Sequence, residues 1–133
     1  EVIAYNARRW FPGDATVRDS LPSVLERART LPAPAVFSLV MPDVGPGQCL
    51  YEGGRIVSVV DLEVCALGPR ELDLLALSSL TGDTRDAFVR AYTALLPLPV
   101  LSDDARAVYG LFHYVCFRFA LPLADAMTWR GII

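Results

Sequence analysis

The sequence predicts an α+β domain whose helices are gathered in its C-terminal part, and three observations carry that expectation. A mostly apolar run of strand length occupies residues 35–41, with Val36 and Phe37 in it. Two further apolar segments flank Gly53-Gly54, a two-residue hairpin signal. From Gly68-Pro69 onward the apolar residues recur at helical spacing to the end of the chain. At 133 residues the chain suits a single domain, 1–133, with one core.

Taken in order, residues 1–5 suit either a short strand or the tail of a helix. Arg8-Arg9-Trp10-Phe11 leads into Pro12-Gly13-Asp14, a turn signal. A helix is expected to start at Ser20, with Pro22 in its first turn. Leu21, Val24, Leu25, Ala28 and Leu31 form its apolar stripe, and Pro32-Ala33-Pro34 stops it. The run 35–41 reads as a buried strand closed by Pro42, after which residues 43–47 form a loop. Segments 49–52 and 55–60 are the arms of the hairpin. The second arm is almost continuously apolar, which predicts cover on both faces.

Pro69 suits the first position of a helix running to Leu80, with Gly82 just past its end. Asp83 caps the next helix, whose stripe is Ala87, Phe88, Ala91, Tyr92 and Leu95; Pro97 and Pro99 end it. Ser102 with Asp103 and Asp104 opens a third, the acids lying where the helix dipole favours them. This helix is expected to reach about residue 120 before Pro122 interrupts it.

Composition excludes several classes of function. A formal net charge of -3 supplies no basic field for nucleic acid. All 12 basic residues are arginine, so a P-loop lysine, a Schiff-base lysine and the nucleotide-binding lysine of a kinase first lobe are absent. Cys49, Cys65 and Cys116 form no metal-type cluster, and their odd number argues for reduced thiols in a cytoplasmic protein. Mean hydropathy is +0.39, high for a soluble domain, which implies a well-filled core or a surface meant to be covered. The most apolar run, 107–124, contains His113, Arg118 and Pro122, and reads as a core helix rather than a membrane span. The chain opens on Glu1 rather than Met, as a piece of a longer protein would.

The chemistry-bearing residues lie between Asp43 and Asp61. Phosphoryl transfer to a hydroxyl needs a carboxylate to orient and accept the hydroxyl proton, and oxygen ligands that hold Mg²⁺ against the phosphates. In the protein-kinase pattern these are a loop Asp, an amide five residues later and a second Asp beyond the following hairpin. Asp43, Gln48 and Asp61 stand in that order, with an apolar hairpin between the last two.

Here the sequence resembles the aminoglycoside phosphotransferase and choline kinase group of small-molecule kinases. That family reads H-G-D-x-H-P-x-N, a hairpin, I-D-[FW]-E/D and a later G-D-P-x-x-D-L-A. This chain has Met41-Pro42-Asp43-Val44-Gly45-Pro46-Gly47-Gln48, then Val60-Asp61-Leu62-Glu63. After them comes Gly68-Pro69-Arg70-Glu71-Leu72-Asp73-Leu74-Leu75-Ala76. The likeness spans roughly residues 35–130 and covers a kinase-like C-terminal lobe only. It implies Asp43 as catalytic base, Gln48 and Asp61 as metal ligands, and Asp73 as a buried carboxylate bracing the loop. It also implies Mg²⁺ and ATP as cofactors and a small molecule bearing a hydroxyl as substrate. Asp73 has independent support. Ala76, Leu77 and Leu80 place it on an apolar helical stripe, where a carboxylate needs internal donors.

The chain also departs from that pattern. Met41 and Gly45 stand where the family has histidines, Pro42 where it has glycine, and Gln48 reaches one methylene further than Asn. The glycine-rich loop and lysine of the first lobe are missing. Two readings follow. One is a phosphotransferase whose first lobe comes from a parent chain, a partner or an oligomer. The other is a non-catalytic, pseudokinase-type binding or interaction module. Neither involves nucleic acid or a membrane.

The remaining candidates have plainer explanations. His113, between Phe112 and Tyr114 on a helix with no second histidine, reads as structural. Asp83, Asp86, Asp103 and Asp104 are accounted for by helix starts. Tyr109, Phe112, Phe117 and Phe119 read as core, and nothing around Cys49 or Cys65 marks a reactive thiol.

Overall fold

An aspartate, not Ser20, starts the long N-terminal helix. The computed structural model describes residues 1–34, 36–75, 77, 80, 82–117 and 122–130. In it α1 spans Val2–Trp10, so residues 2–5 open a helix rather than form a strand. The helix α2 spans Ala15–Thr30, and Asp14 Oδ1 accepts the Val17 N–H at 3.0 Å. That cap satisfies a donor that would otherwise be orphaned, so the helix begins before Ser20 and Pro22 lies in its interior.

The strands are short and pair in a nested way. Strand β1 (Ser38–Val40) is antiparallel to β4 (Ala66–Gly68), with Val40 opposite Ala66 and Ser38 opposite Gly68. Inside that pair lies the expected hairpin, β2 (Cys49–Glu52) with β3 (Arg55–Val59). Gly53 and Gly54 have φ of +56° and +76°, values that a tight hairpin turn demands and that glycine adopts without strain. A bulge falls between Leu50 and Tyr51. The strand expected over 35–41 is therefore only three residues long; Ala35 lies outside the described residues.

Cover on both faces of β3 does not occur, and that expectation is corrected. All five of its residues are exposed, Ile56 and Val57 at 57% each. On β1 and β4 the directly opposed Leu39 and Leu67 are also exposed, at 70% and 74%, while Val40 and Gly68 face inward. An almost continuous apolar run signals a demand for cover; within this chain nothing described supplies it.

The helical part departs from expectation in two places. The helix predicted over 69–80 is shorter in its α-helical portion, α3 (Glu71–Leu74). Tighter 3₁₀ geometry follows at Leu75 and Leu77; Ala76 lies outside the described residues. Gly82, left-handed with φ +52°, lies past the end of that helix as expected and is also the first residue of α4 (Gly82–Leu95). Of the stripe assigned to α4, only Tyr92 packs inward: Ala87, Phe88, Ala91 and Leu95 are exposed, and α4 docks through Arg85, Val89 and Tyr92. Both faces of α4 carry apolar residues, so periodicity alone could not choose between them.

The core is organised on α5 (Asp103–Phe117), whose Ser102 cap accepts the Ala105 N–H at 3.2 Å. Its Ala107, Val108, Leu111 and Val115 bury against Ala7, Val17 and Val24 of α1 and α2, and against Leu123 of α6 (Leu123–Thr128). Residues 118–121, including Phe119 and the expected end of this helix, lie outside the described residues. Helices α5 and α6 approach so closely that a Cβ on Gly110 would stand 2.2 Å from the Ala126 carbonyl oxygen. A second cluster joins Leu74, Leu75, Leu77 and Trp129, whose indole N–H donates to the Arg106 carbonyl at 3.1 Å. Tyr109 touches both clusters. The three cysteines are free thiols, and among the described residues no helix is long and apolar enough to cross a membrane.

Candidate functional site

The nested strand pairing builds the candidate site. Strand β1 runs into the loop that carries Asp43, and β4 leaves the turn that carries Asp61. Pairing β1 with β4 therefore closes residues 41–65 on themselves and returns Asp61 towards Asp43. The hairpin adds a second tie, because the Val60 N–H donates to the Gln48 carbonyl at 2.8 Å. Residues far apart in sequence are thus brought together by two antiparallel ladders.

Asp43 is half-buried, and its Oδ1 is buried without a hydrogen-bond partner among the described residues. Burial pushes its carboxyl above the ordinary range, its own backbone N–H draws it back, and the charge of Asp61 adds to the rise. The Asp61 charge thus bears on Asp43. Asp61 is exposed and left-handed, with φ 62° and ψ 51°. Such a conformation is uncommon outside glycine but is favoured by Asp among other residues, and it opens the short 3₁₀ turn Leu62–Val64.

Gln48 is committed to the loop itself. Its Oε1 accepts the Gly45 N–H at 2.6 Å and its Nε2 donates to the Asp43 carbonyl at 3.1 Å. The side chain expected to hold a metal thus staples the loop at both ends of its amide. Gln48 as it lies therefore has both ends of its amide engaged within the loop, whereas the Asp43 Oδ1 is left without a partner among the described residues. No group of three or more His, Cys, Asp or Glu able to hold a metal occurs among the described residues.

Two side chains grip the loop from behind. Asp73 Oδ1 accepts the Met41 N–H at 2.6 Å, a contact spanning 32 positions. Burial raises the Asp73 carboxyl and the Met41 N–H partly offsets that rise. His113, only 2% exposed, places Nε2 2.5 Å from the Pro42 carbonyl oxygen. A carbonyl can only accept, so Nε2 carries the proton. Burial lowers the His113 pKa to about 4, against a smaller upward pull from Pro42, so the ring is neutral at pH 7. Composition allowed His113 to be recognised as structural; its partner was not legible, since nothing local links positions 42 and 113.

Of the aromatics assigned to the core, only Tyr109 packs against the two buried clusters; Phe112 and Phe117 are half-buried, and Phe119 lies outside the described residues. Tyr109, Phe112 and Phe117 help line an apolar cavity of about 430 Å³ that also touches Pro42 and Val64. No charged side chain borders it.

No family model, curated protein or solved structure matches the chain.

Proposed function

We propose that this chain is a kinase-like C-terminal lobe of the aminoglycoside phosphotransferase and choline kinase type. Its reaction is phosphoryl transfer from Mg²⁺-ATP to the hydroxyl of a small molecule, with the first lobe supplied by a parent chain, a partner or a second copy. Alone, the chain has weak activity or none. The observation that carries this reading is the return of Asp61 to Asp43 through the paired β1 and β4, leaving the Asp43 Oδ1 buried and unpartnered. A carboxyl held above its ordinary range is the better proton acceptor, which suits Asp43 to draw the proton from an attacking hydroxyl. Asp61 would hold Mg²⁺, and the cation would supply charge neutralisation of the phosphates. Asp73 contributes by fixing the backbone from which Asp43 extends. The exposed apolar arms of the hairpin are consistent with a missing covering lobe.

The closed amide of Gln48 favours a second reading, a pseudokinase-type binding module that keeps the scaffold without a full metal site. Thermal melting separates the two, because a ligand of the folded state raises stability by RT ln(1 + [L]/Kd). The enzyme reading expects an upward shift at millimolar Mg²⁺-ATP that Asp61→Ala abolishes. No shift in the wild-type chain sinks it for the chain alone. An ATP-consuming reaction lost in Asp43→Ala is fatal to the binding-module reading.

A further inference from the structure

We infer that His113 is a positioning residue of the candidate site, holding the loop of Asp43 from the α5 side through the Pro42 carbonyl. The assignment rests on the reading of residues 41–48 as a phosphotransfer loop. It adds a residue that the resemblance does not supply.

Three observations carry it. The contact is short, 2.5 Å, and joins residues 71 positions apart, so it ties the loop to the most buried helix of the fold. Pro42 immediately precedes Asp43, so fixing the Pro42 carbonyl fixes the peptide plane into the Asp43 nitrogen. The ring is itself held: its centroid lies 5.1 Å from that of the Phe117 ring, with the two planes tilted by 45°, and the residue is almost wholly buried.

Asp73 and His113 then act on consecutive residues with opposite chemistry. Asp73 accepts the N–H of Met41, and His113 donates to the C=O of Pro42. The dipeptide before Asp43 is thereby gripped at one donor and one acceptor, from α3 and from α5. A loop so held presents the Asp43 carboxylate in one place, which is what a proton acceptor needs before substrate arrives. A purely structural histidine would only have to be satisfied; this one is satisfied by the residue next to the candidate base.

The test compares His113→Gln, whose amide N–H reaches a similar position, with His113→Leu, which has no donor. The readout is NMR: the amide resonances of residues 43–48 and the titration midpoint of the Asp43 carboxyl. The Gln variant is expected to keep both close to wild type. The Leu variant is expected to shift the loop amides and move the Asp43 midpoint, with the amides of α1 and α2 unmoved. Identical behaviour of the two variants, or an unmoved Asp43 midpoint in Leu, overturns the inference. Should Leu fail to fold, the wild-type ring decides. A proton on Nε2 that exchanges slowly and couples to the Pro42 carbonyl supports the clamp, and an Nδ1-protonated ring overturns it. None of these readouts needs turnover, so they stand apart from the Mg²⁺-ATP melting shift on which the phosphotransfer reading depends.

Discussion

The carboxylate of Asp73 and the backbone N–H of Met41 lie 2.6 Å apart, so α3 holds the chain just before the candidate loop. The bond carries a cost. Burial raises the Asp73 carboxyl, and the folded state therefore disfavours its charge. A raised carboxyl contributes stability below its unfolded value and loses it as pH rises through the folded one. At pH 7 the charge weighs against folding while the accepted hydrogen bond favours it.

Asp73→Asn and Asp73→Ala should therefore diverge. Asparagine keeps an acceptor for Met41 and removes the buried charge, so its unfolding free energy at pH 7 should equal or exceed that of the wild type. Alanine orphans a buried N–H and should cost about 1–3 kcal/mol. Urea denaturation at pH 7 checks this; an Asn variant as unstable as the Ala variant contradicts it.

His113 predicts an acid-side loss of stability. Its pKa falls from the ordinary 6.5 to about 4 on folding, so between those values the unfolded chain binds more protons. Stability is full above pH 6.5 and falls towards pH 4, by on the order of 3 kcal/mol for this group. His113→Gln should lack that segment of the pH profile. Denaturation curves collected at intervals from pH 7 to pH 4 give the comparison.

Gly110 is required by the approach of α5 to α6. A Cβ there would stand 2.2 Å from backbone, which no rotamer change relieves. Gly110→Ala should destabilise by about 1–3 kcal/mol or more despite the better helix propensity of alanine. Gly47→Ala, where nothing lies within 4 Å, should stay within about 0.5 kcal/mol of the wild type. Equal melting temperatures for the two variants would contradict the packing.

The exposed apolar strands should tolerate charge. Val57→Lys and Leu67→Lys are expected to change unfolding free energy by no more than about 0.5 kcal/mol and to reduce self-association. Leu74→Ala, in the core, should cost about 2–5 kcal/mol. Sedimentation and denaturation together measure both arms; a large loss in Val57→Lys would mean that β3 is covered.

Much of the local structure was legible before any coordinates. Gly53-Gly54 announced the hairpin, Ser102 the start of α5, and Pro122 the interruption after it. Asp73 was marked as a carboxylate in need of an internal donor because its stripe is apolar, and Met41 supplies that donor. The start of α2 was missed because Asp14 sits in a Pro-Gly-Asp turn, where an N-cap and a turn former have the same composition. The exposure of β3 and the true docking face of α4 were missed for another reason. An apolar stripe states that burial is favourable, not which neighbour is present to provide it.

What the sequence determined by itself is what neighbouring residues decide: the Ser102 cap, the glycine turn, and the order Asp43, Gln48, Asp61. Those depend on dihedral preferences and hydrogen bonds that reach only a few residues. Tertiary structure alone decided that Asp61 returns to bear on Asp43 and that His113 meets Pro42 across 71 positions. Both relationships exist only once strands pair and helices pack.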